Sequence, residues 1–283
     1  MQLNINNEYD TLKSVVVSSA EYFNSDNLVL NNETIKYYME NGGIPSRENL
    51  LIEQKKFWKI LRNKGINVLV ADQVDDARGQ MFTRDLAFVI GDKLFISNMR
   101  KENRKTAING WSKIINDINC VNIVKVPSDI YLEGGDVLVD GKKIFVGISE
   151  RTTMEGVQFL KNVLSEEYEV IPLMLKPGFL HLDVVFTIIN PNLSLVYKEG
   201  FDEESFDKLC DYKKILLTEE EQFKLGTNVF VIDKNNIIVN VNHKRIIAEI
   251  KENGLSVIPL EFSETSKVGG AFRCVTCPLE RID

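Results

Sequence analysis

The sequence predicts an α/β fold in which one supersecondary unit repeats around a central axis and closes into a ring. Four hairpins of apolar strands recur along the 283-residue chain. Their turns are about forty-five to fifty residues apart, a spacing typical of radial or stacked repeats. After each hairpin come a polar segment with helical spacing and one short apolar strand. An open mixed α/β sheet is the alternative, but a doubly wound parallel sheet would not use regular hairpins.

The hairpins are recognised as pairs of apolar runs joined by tight turns. Gly91-Asp92 separates the first pair and Asp140-Gly141 the second. An Asp-Gly turn between apolar runs is a strong short-range hairpin signal. The predicted pairs are Leu86–Ile90 with Lys93–Ile96, Asp136–Val139 with Lys143–Val146, Val184–Ile188 with Leu193–Tyr197, and Asn228–Ile232 with Ile237–Asn240.

A single short strand after each hairpin completes its unit. Near the start, the apolar run Asn67–Val70 follows the helix-like segment Leu51–Trp58. Two further apolar runs are left over, Ser14–Val17 at the front and Val275–Leu279 at the back. Pairing them would close a fifth unit and remove exposed sheet edges, so we expect a single domain over residues 1–283. The four single strands are Val121–Val124, Glu169–Leu173, Lys214–Leu217 and Ser256–Leu260.

Composition and charge argue against several classes of function. The chain is 44% hydrophobic and 27% charged, which is ordinary globular composition. Its formal net charge of −7 argues against nucleic acids and anionic membranes as partners and favours cationic small molecules. We find neither a signal peptide nor a membrane-length apolar stretch, and the four cysteines are irregularly spaced. We therefore expect a protein of the reducing cytoplasm.

A candidate nucleophile follows a pair of glycines, Cys274 in Gly269-Gly270-Ala271-Phe272-Arg273-Cys274. Glycines there let the backbone approach a ligand closely, although a cysteine taken alone is more often a small buried hydrophobe. With Cys277 it also forms a CxxC pair, which supplies only half of a zinc site. A redox pair usually opens a helix, which Pro278 makes awkward. A thiol–disulfide function stays as a minor alternative.

The chain has only two histidines, which narrows the choice of a general base. His181 lies at a predicted strand entry, and Asp183 would point to the same face of that strand. An imidazole and a carboxylate aimed at one spot suit proton transfer beside a cation. His243 is expected at a solvated helix start, without a catalytic role.

Charged blocks precede the first two hairpins, Phe82-Thr83-Arg84-Asp85 and Glu133-Gly134-Gly135-Asp136. The structural alternatives are a surface ion pair between Arg84 and Asp85 and a simple cap at Asp136. In a radial array, however, Asp85, Glu133 and His181 stand at the starts of successive units and converge on one end of the axis.

Together these blocks resemble the guanidino-group modifying superfamily of arginine deiminases, dimethylarginine dimethylaminohydrolases and amidinotransferases. The resemblance covers about Phe82 to Arg281, includes Ser149-Glu150-Arg151-Thr152 and Cys274-Val275-Thr276-Cys277-Pro278, and is closest to a compact arginine deiminase-like member. It implies a five-bladed α/β propeller of ββαβ units, the pentein fold. It also implies catalysis without a metal or organic cofactor, and it is compatible with a homodimer.

The resemblance implies a role for each candidate residue. Cys274 would be the nucleophile, and His181 the general acid/base, oriented by Glu133. The substrate-binding residues would be Asp85 and Asp183 for the guanidinium nitrogens, with Arg151 and Arg104 for a substrate carboxylate.

Two departures from arginine deiminases bear on the substrate. The sequence has no room for their helical insertion ahead of Phe82, and Gly79 stands where they have a substrate-binding asparagine. We expect hydrolysis of the guanidino group of arginine or an arginine derivative through an S-amidino cysteine, giving a ureido product and ammonia or an amine. Amidino transfer to an amine is one alternative. The other is a non-catalytic binding protein on the same propeller, as in the ribosome anti-association factor of archaea and eukaryotes.

Overall fold

The structure is a computed structural model that describes residues 1–21, 23, 33–41, 43–75, 77, 79–118 and 122–283. Its strands form five three-stranded sheets. The strands are β1 (Thr11–Ser18), β2 (Asn67–Ala71), β3 (Ala87–Ile90), β4 (Lys93–Ile96), β5 (Ile123–Lys125), β6 (Val137–Asp140), β7 (Lys143–Ile148), β8 (Glu169–Met174), β9 (Phe186–Asn190), β10 (Leu193–Val196), β11 (Lys213–Leu216), β12 (Phe230–Asp233), β13 (Asn236–Asn240), β14 (Ser256–Leu260) and β15 (Cys277–Ile282).

The helices connect the second and third strands of each sheet or lie in the loops between sheets. Side chains cap several of them: Ser46 accepts from Asn49 N at the start of the second helix, Asp202 accepts from Ser205 N, and Thr218 forms a capping box with Glu221. The α-helices are α1 (Glu33–Glu40), α2 (Arg47–Asn63), α3 (Thr83–Leu86), α4 (Ser112–Asn116), α5 (Met154–Leu164), α6 (Glu203–Asp207), α7 (Glu219–Phe223), α8 (Lys244–Glu252) and α9 (Ser263–Lys267). Within the described part of the chain, no helix is both long and apolar enough to cross a bilayer.

All five sheets share one topology. The middle strand pairs antiparallel with its hairpin partner and parallel with the strand that follows the helical segment, as in β3–β4–β5 and β6–β7–β8. The fifth sheet has the order β15–β1–β2, so the two ends of the chain close the ring, with Thr11 opposite Ile282. The predicted five-bladed α/β propeller is therefore confirmed.

The strands lie where the sequence pattern predicts them, with boundaries that shift by up to three residues: β9 begins at Phe186 rather than Val184, and β12 at Phe230 rather than Asn228. Val121, the start of one predicted strand, lies outside the described residues, and β5 begins at Ile123. The last strand begins at Cys277 rather than at the predicted Val275. The preceding backbone turns instead of pairing, because Val275 N donates to Ala271 O and Thr276 N to Arg273 O. That turn carries Cys274.

Two apolar clusters fill the space between sheets and helices. In the larger one Phe57 of α2 packs edge-on against Phe230, Phe262 and Phe272, with ring centroids 5.3–5.7 Å apart. Phe262 stacks on Phe272 at 4.2 Å. Aromatic pairs in these geometries add to the free energy gained from burial. Because Phe272 is two residues before Cys274, this cluster fixes the backbone that presents the thiol.

Candidate active site

The candidate residues stand at equivalent positions in the five units. In each unit a short turn or one-turn helix leads into the buried first strand of the hairpin, and it presents a polar side chain at the same mouth of the axis. The sequence-derived expectation of convergence therefore agrees with the observed placement. The five residues are Asp85 before β3, Glu133 before β6, His181 before β9, Asn228 before β12 and Cys274 before β15.

The Cys274 thiol is buried among polar groups, with only 5% of the residue exposed. Its Sγ lies 3.0 Å from Asn228 Nδ2, which donates to it, and 3.7 and 3.9 Å from the two carboxylate oxygens of Asp183. Burial, followed by the charges of Asp183 and Asp85, raises the pKa of Cys274 well above its ordinary value. The thiol is therefore protonated at neutral pH in the ligand-free protein.

Close approach of the backbone makes this arrangement possible at two glycines. A Cβ on Gly270 would lie 2.5 Å from the Phe82 ring and 3.1 Å from Cys274 Cβ. A Cβ on Gly135 would lie 2.7 Å from His181 Cγ and 2.8 Å from Asp85 Oδ1. At each of these two positions a Cβ would come too close to a neighbouring side chain. The glycines of the two pairs noted in the sequence therefore let the site residues pack together.

The imidazole of His181 is held between two carboxylates. Its Nε2 lies 2.9 Å from Glu133 Oε2, and its Nδ1 lies 3.7 Å from Asp85 Oδ1. Burial opposes the charged ring, but Asp85 and Glu133 outweigh it and raise the pKa of His181 to about 9. The ring is therefore protonated at neutral pH and can donate a proton to a departing amine.

Glu133 is fully buried and fixed from several directions. Its Oε1 accepts from Arg100 N at 3.0 Å, and its own backbone N donates to Thr152 Oγ1 at 3.1 Å. Burial favours the protonated acid, but the hydrogen bond and charge of His181, with Arg104 and Arg151, lower the pKa of Glu133. It is therefore an anion that orients the His181 ring.

Asp136 is a positioning residue rather than the simple cap considered from the sequence. Its Oδ1 accepts from Leu182 N at 2.9 Å and its Oδ2 from Ser149 Oγ at 2.7 Å. These bonds tie the turn that carries His181 to the neighbouring unit. Burial raises the pKa of Asp136 to about 7.

Two arginines, Arg104 and Arg151, lie at the edge of the site beside Asp85 and Glu133. Arg104 Nη1 lies 2.9 Å from Asp85 Oδ2, and Arg151 Nη1 lies 3.7 Å from Glu133 Oε2. The Nε of Arg104, with Nε and Nη1 of Arg151, is buried without a hydrogen bond to the described residues. Unused buried donors are costly, so these groups are ready to bind an acceptor on a ligand.

One set of possible metal ligands lies in the same place. Asp85, Glu133 and His181 offer ligand atoms within 4.8 Å of one another. The guanidinium of Arg104, however, already lies 2.9 Å from Asp85 and 3.9 Å from Glu133. A divalent cation there would face this positive charge at short range, so the donor set does not fit a metal well.

Three local expectations need correction. His181 and Asp183 do not share a strand: His181 precedes the 3-10 helix Leu182–Val184, which turns both residues toward the site before β9 begins. His243 does begin a helix, α8, but it is buried rather than solvated, and burial lowers its pKa. Asp85 forms its ion pair with Arg104 and not with its neighbour Arg84, and the pair is buried.

Asn228 was missed as a site residue in the sequence analysis, which used it only as the start of a predicted strand. Its Nδ2 donates to Cys274 Sγ, and its Oδ1 accepts from the backbone N of Arg273 at 3.0 Å and of Cys274 at 3.2 Å. The signal was available, because Asn228 occupies the place in the fourth hairpin that Asp85, Glu133 and His181 occupy in the first three.

With this geometry in view, a family comparison identifies the chain. The model of the family described as N,N dimethylarginine dimethylhydrolase, eukaryotic, matches residues 19–281. The chain belongs to this family. The predicted membership of the guanidino-group modifying superfamily is thereby confirmed, and the match agrees with the compact length noted in the sequence.

Individual relatives and solved structures are consistent with this membership. The uncharacterized protein YkgA of Bacillus subtilis (strain 168) is 34% identical over 277 residues, covering 97% of this chain and 94% of YkgA. SxtG, an amidinotransferase from Microseira wollei in the saxitoxin biosynthetic pathway, superposes with a TM-score of 0.82 at 19% identity, covering 99% and 98% of the two chains. A variant of the N-terminal domain of the cyanobacterial arginine dihydrolase ArgZ, solved covalently bound to a reaction intermediate, superposes with a TM-score of 0.82 at 21% identity, covering 95% and 98%. At these identities the two structures show the shared fold.

Proposed function

We propose that this protein hydrolyses the guanidino group of arginine or an arginine derivative through a covalent S-amidino intermediate on Cys274. The observation that carries the proposal is the surroundings of the thiol. Cys274 Sγ lies beside the Asp183 carboxylate and the Asn228 amide, at the mouth where the His181–Glu133 pair and Asp85 converge. A thiol, an acid/base and two carboxylates for a planar cation are the groups that this reaction needs.

Substrate binding would begin with an exchange of partners at Asp85. Its Oδ1 is buried without a hydrogen bond, and its Oδ2 binds Arg104. A substrate guanidinium entering between Asp85 and Asp183 would take up these carboxylate oxygens. Arg104 would then be released from Asp85, and its guanidinium, with that of Arg151, could bind a carboxylate on the substrate's tail.

The substrate itself would generate the nucleophile. The pKa of Cys274 is raised by burial and by the negative charges of Asp183 and Asp85. A guanidinium bound between these carboxylates cancels their field at the sulfur, so the thiol releases its proton to solvent and the thiolate forms when the reacting carbon is in place. The ligand-free enzyme would hold its thiol protonated, which protects it from unwanted chemistry.

The chemical steps would then use the Cys274 thiolate and the His181 imidazolium. The Cys274 thiolate attacks the guanidinium carbon, and a C–S bond forms to give a tetrahedral adduct. The His181 imidazolium donates its proton to the departing amine as the C–N bond breaks, leaving an S-amidino cysteine. Neutral His181 takes a proton from water, whose oxygen attacks the same carbon. The C–S bond breaks and the hydroxyl proton of the adduct passes to solvent, which restores the thiolate and releases a neutral ureido product.

Amidino transfer is the second candidate, because an amine in place of water would discharge the same intermediate. The fold that this protein shares with the amidinotransferase SxtG supports amidino transfer as a candidate function. A non-catalytic role on the same propeller is the third, and the presence of Cys274, His181 and Glu133 in contact with acids disfavours it.

One experiment separates these candidates. The purified protein is incubated with arginine, methylated arginines, agmatine and guanidinoacetate, each with and without glycine as an amine acceptor. We expect ureido product and released ammonia or methylamine without acceptor, together with a mass increase on the peptide containing Cys274 after rapid acid quenching. Arginine but not agmatine as a substrate would support the carboxylate role of Arg104 and Arg151. Turnover only with glycine would identify a transferase, and neither product nor adduct with any guanidine would overturn the proposal.

A further inference from the structure

A second cluster of charged side chains lies on the propeller axis behind the active site. It consists of Glu8 and the arginines Arg84, Arg273 and Arg281, all at most 8% exposed. Arg273 crosses the axis: it leaves the turn before β15 and donates from Nη2 to Val137 O of β6, a strand of a non-adjacent unit, at 2.9 Å. No step of the proposed hydrolysis uses these residues.

The cluster carries more positive than negative charge. Glu8 Oε1 is 3.2 Å from Arg273 Nη2 and also accepts from Val139 N at 3.2 Å. This carboxylate is the only one within 4.0 Å of these three guanidinium groups in the described chain. The guanidinium of Arg281 is directed to the carbonyl oxygens of Asp10 and Val231 instead. Three arginines therefore share one close carboxylate, and buried charges of one sign are costly without compensation.

Arg84 is the least compensated member. Its guanidinium forms no ion pair within 4.0 Å, and its Nε is buried without a hydrogen bond to the described residues, since only 5% of the residue is exposed. Its backbone N donates to Cys274 O at 3.2 Å, so the segments carrying Arg84 and Arg273 lie side by side. Burial and then the charge of Arg273 lower the pKa of Arg84, which agrees with two guanidinium groups facing one another.

Unused donors mark the space between these two arginines. Arg84 Nε and the Nε and Nη1 of Arg273 are buried without hydrogen bonds to described residues. Each such buried N–H is costly unless a ligand or water accepts from it. Water would satisfy the donors but not the excess charge, whereas an anion would do both.

We propose that the propeller axis binds a small monovalent anion of halide size between Arg84 and Arg273. The donors are N–H groups alone, which suits a spherical acceptor such as chloride or bromide. Burial of both arginines and of Cys277, whose thiol donates to Ala87 O at 3.1 Å, favours a small ion over an organic one. The negative charges of Glu8 and Asp183, which both act on Arg84, limit the site to a single negative charge.

The test follows stability rather than activity, so its outcome does not depend on the proposed hydrolysis. The full chain is prepared in sodium methanesulfonate and titrated with sodium bromide at constant ionic strength. We expect stabilisation that begins near the dissociation constant and then rises logarithmically, with an increase in Tm of about 2 °C for each further tenfold increase in bromide. Crystals grown with bromide should show one anomalous peak in hydrogen-bonding distance of Arg84 and Arg273. A water at this position, or no peak, would overturn the proposal.

Two variants and a control make the assignment specific. Arg84→Met should abolish the bromide-dependent rise in Tm, whereas Arg62→Met, at an exposed arginine of α2, should leave it unchanged. Glu8→Gln removes a neighbouring negative charge at nearly constant volume and should tighten bromide binding about tenfold. If Arg84→Met does not fold, Glu8→Gln still decides the matter, because an unchanged bromide dependence there contradicts an anion beside Glu8.

Discussion

Two cysteines three residues apart in the same segment have opposite surroundings, and the difference shows what makes a buried thiol suitable for catalysis. Burial raises the pKa of both, to about 12 for Cys277 and well above the ordinary value for Cys274. Cys277 faces the carbonyl of Ala87, with arginines as its nearest strong charges. Cys274 faces Asp183 and Asp85, whose effect a bound cation can cancel. In the proposed mechanism, only the surroundings of Cys274 respond to a bound substrate.

The largest expected effect separates the two thiols directly. Cys274→Ser should lower kcat/KM by at least about 10³-fold, because a serine hydroxyl in this acidic site is a far weaker nucleophile. Cys277→Ser should stay within about fivefold of the parent, since that thiol only contacts backbone. Steady-state ureido formation measures both, with circular dichroism as the control for folding. An active Cys274→Ser, or an inactive but folded Cys277→Ser, would contradict the distinction.

The two histidines give a second matched pair. His181→Asn should slow turnover by about 10²- to 10⁴-fold, because the departing amine loses its proton donor. His243→Asn changes a histidine that is equally buried but lies at the start of α8, and we expect it to affect stability rather than kcat. Quenched samples of His181→Asn analysed by mass spectrometry would show whether attack or release is slowed. Equal losses of kcat in both variants would argue against a chemical role for His181.

The Glu133–His181 pair predicts a pH dependence. His181 has a pKa of about 9 in the folded protein against 6.5 as its ordinary value, so the stability it contributes is complete below pH 6.5 and is lost as pH rises through about 9. Glu133→Gln removes the charge that orients the ring and should lower the His181 midpoint and reduce kcat about 10- to 100-fold. An NMR titration of the imidazole reads the midpoint, and urea unfolding on either side of this window reads the stability. An unchanged midpoint in Glu133→Gln would show that Asp85 and Asp136 hold the proton without Glu133.

The smallest expected effect concerns Asn228, which donates a hydrogen bond to the thiol of Cys274 and not to that of Cys277. Its hydrogen bond lowers the pKa of Cys274, so Asn228→Ala should raise that pKa further and reduce kcat/KM about tenfold. The rate of alkylation of Cys274 as a function of pH measures the shift, and Asn192→Ala, on an exposed turn, is the control. Faster alkylation in Asn228→Ala would mean that the amide restrains the thiol instead of activating it.

The sequence was sufficient for the propeller because the hairpin spacing and the tight turns at Gly91-Asp92 and Asp140-Gly141 are local signals. Convergence of Asp85, Glu133 and His181 also followed, since radial repetition places equivalent positions at one mouth. The sequence could not show which side chains contact one another in the folded protein. Arg104 lies nineteen positions after Asp85, and its selection of Asp85 depends on how the 3-10 helix Glu102–Trp111 folds back over the site.

The 3-10 geometry at His181 also lay beyond pattern reading. A three-residue turn and a strand entry have the same apolar pattern, Leu182-Asp183-Val184, and only the backbone path distinguishes them. Glu8 is a second residue whose contact could not be predicted from the sequence. Nothing near it in sequence predicts that it meets Arg273, 265 residues away, on the axis.

Because β1 and β15 close the ring, we expect retention of activity to depend on how stable the pairing of these two strands is. Local openings of a folded domain can separate one pair of strands before the rest unfolds. Here the turn that presents the sulfur leads straight into the closing strand. Peeling of that strand would withdraw the sulfur while four blades stay folded, so heating or mild denaturant should extinguish turnover before the bulk of the molecule melts.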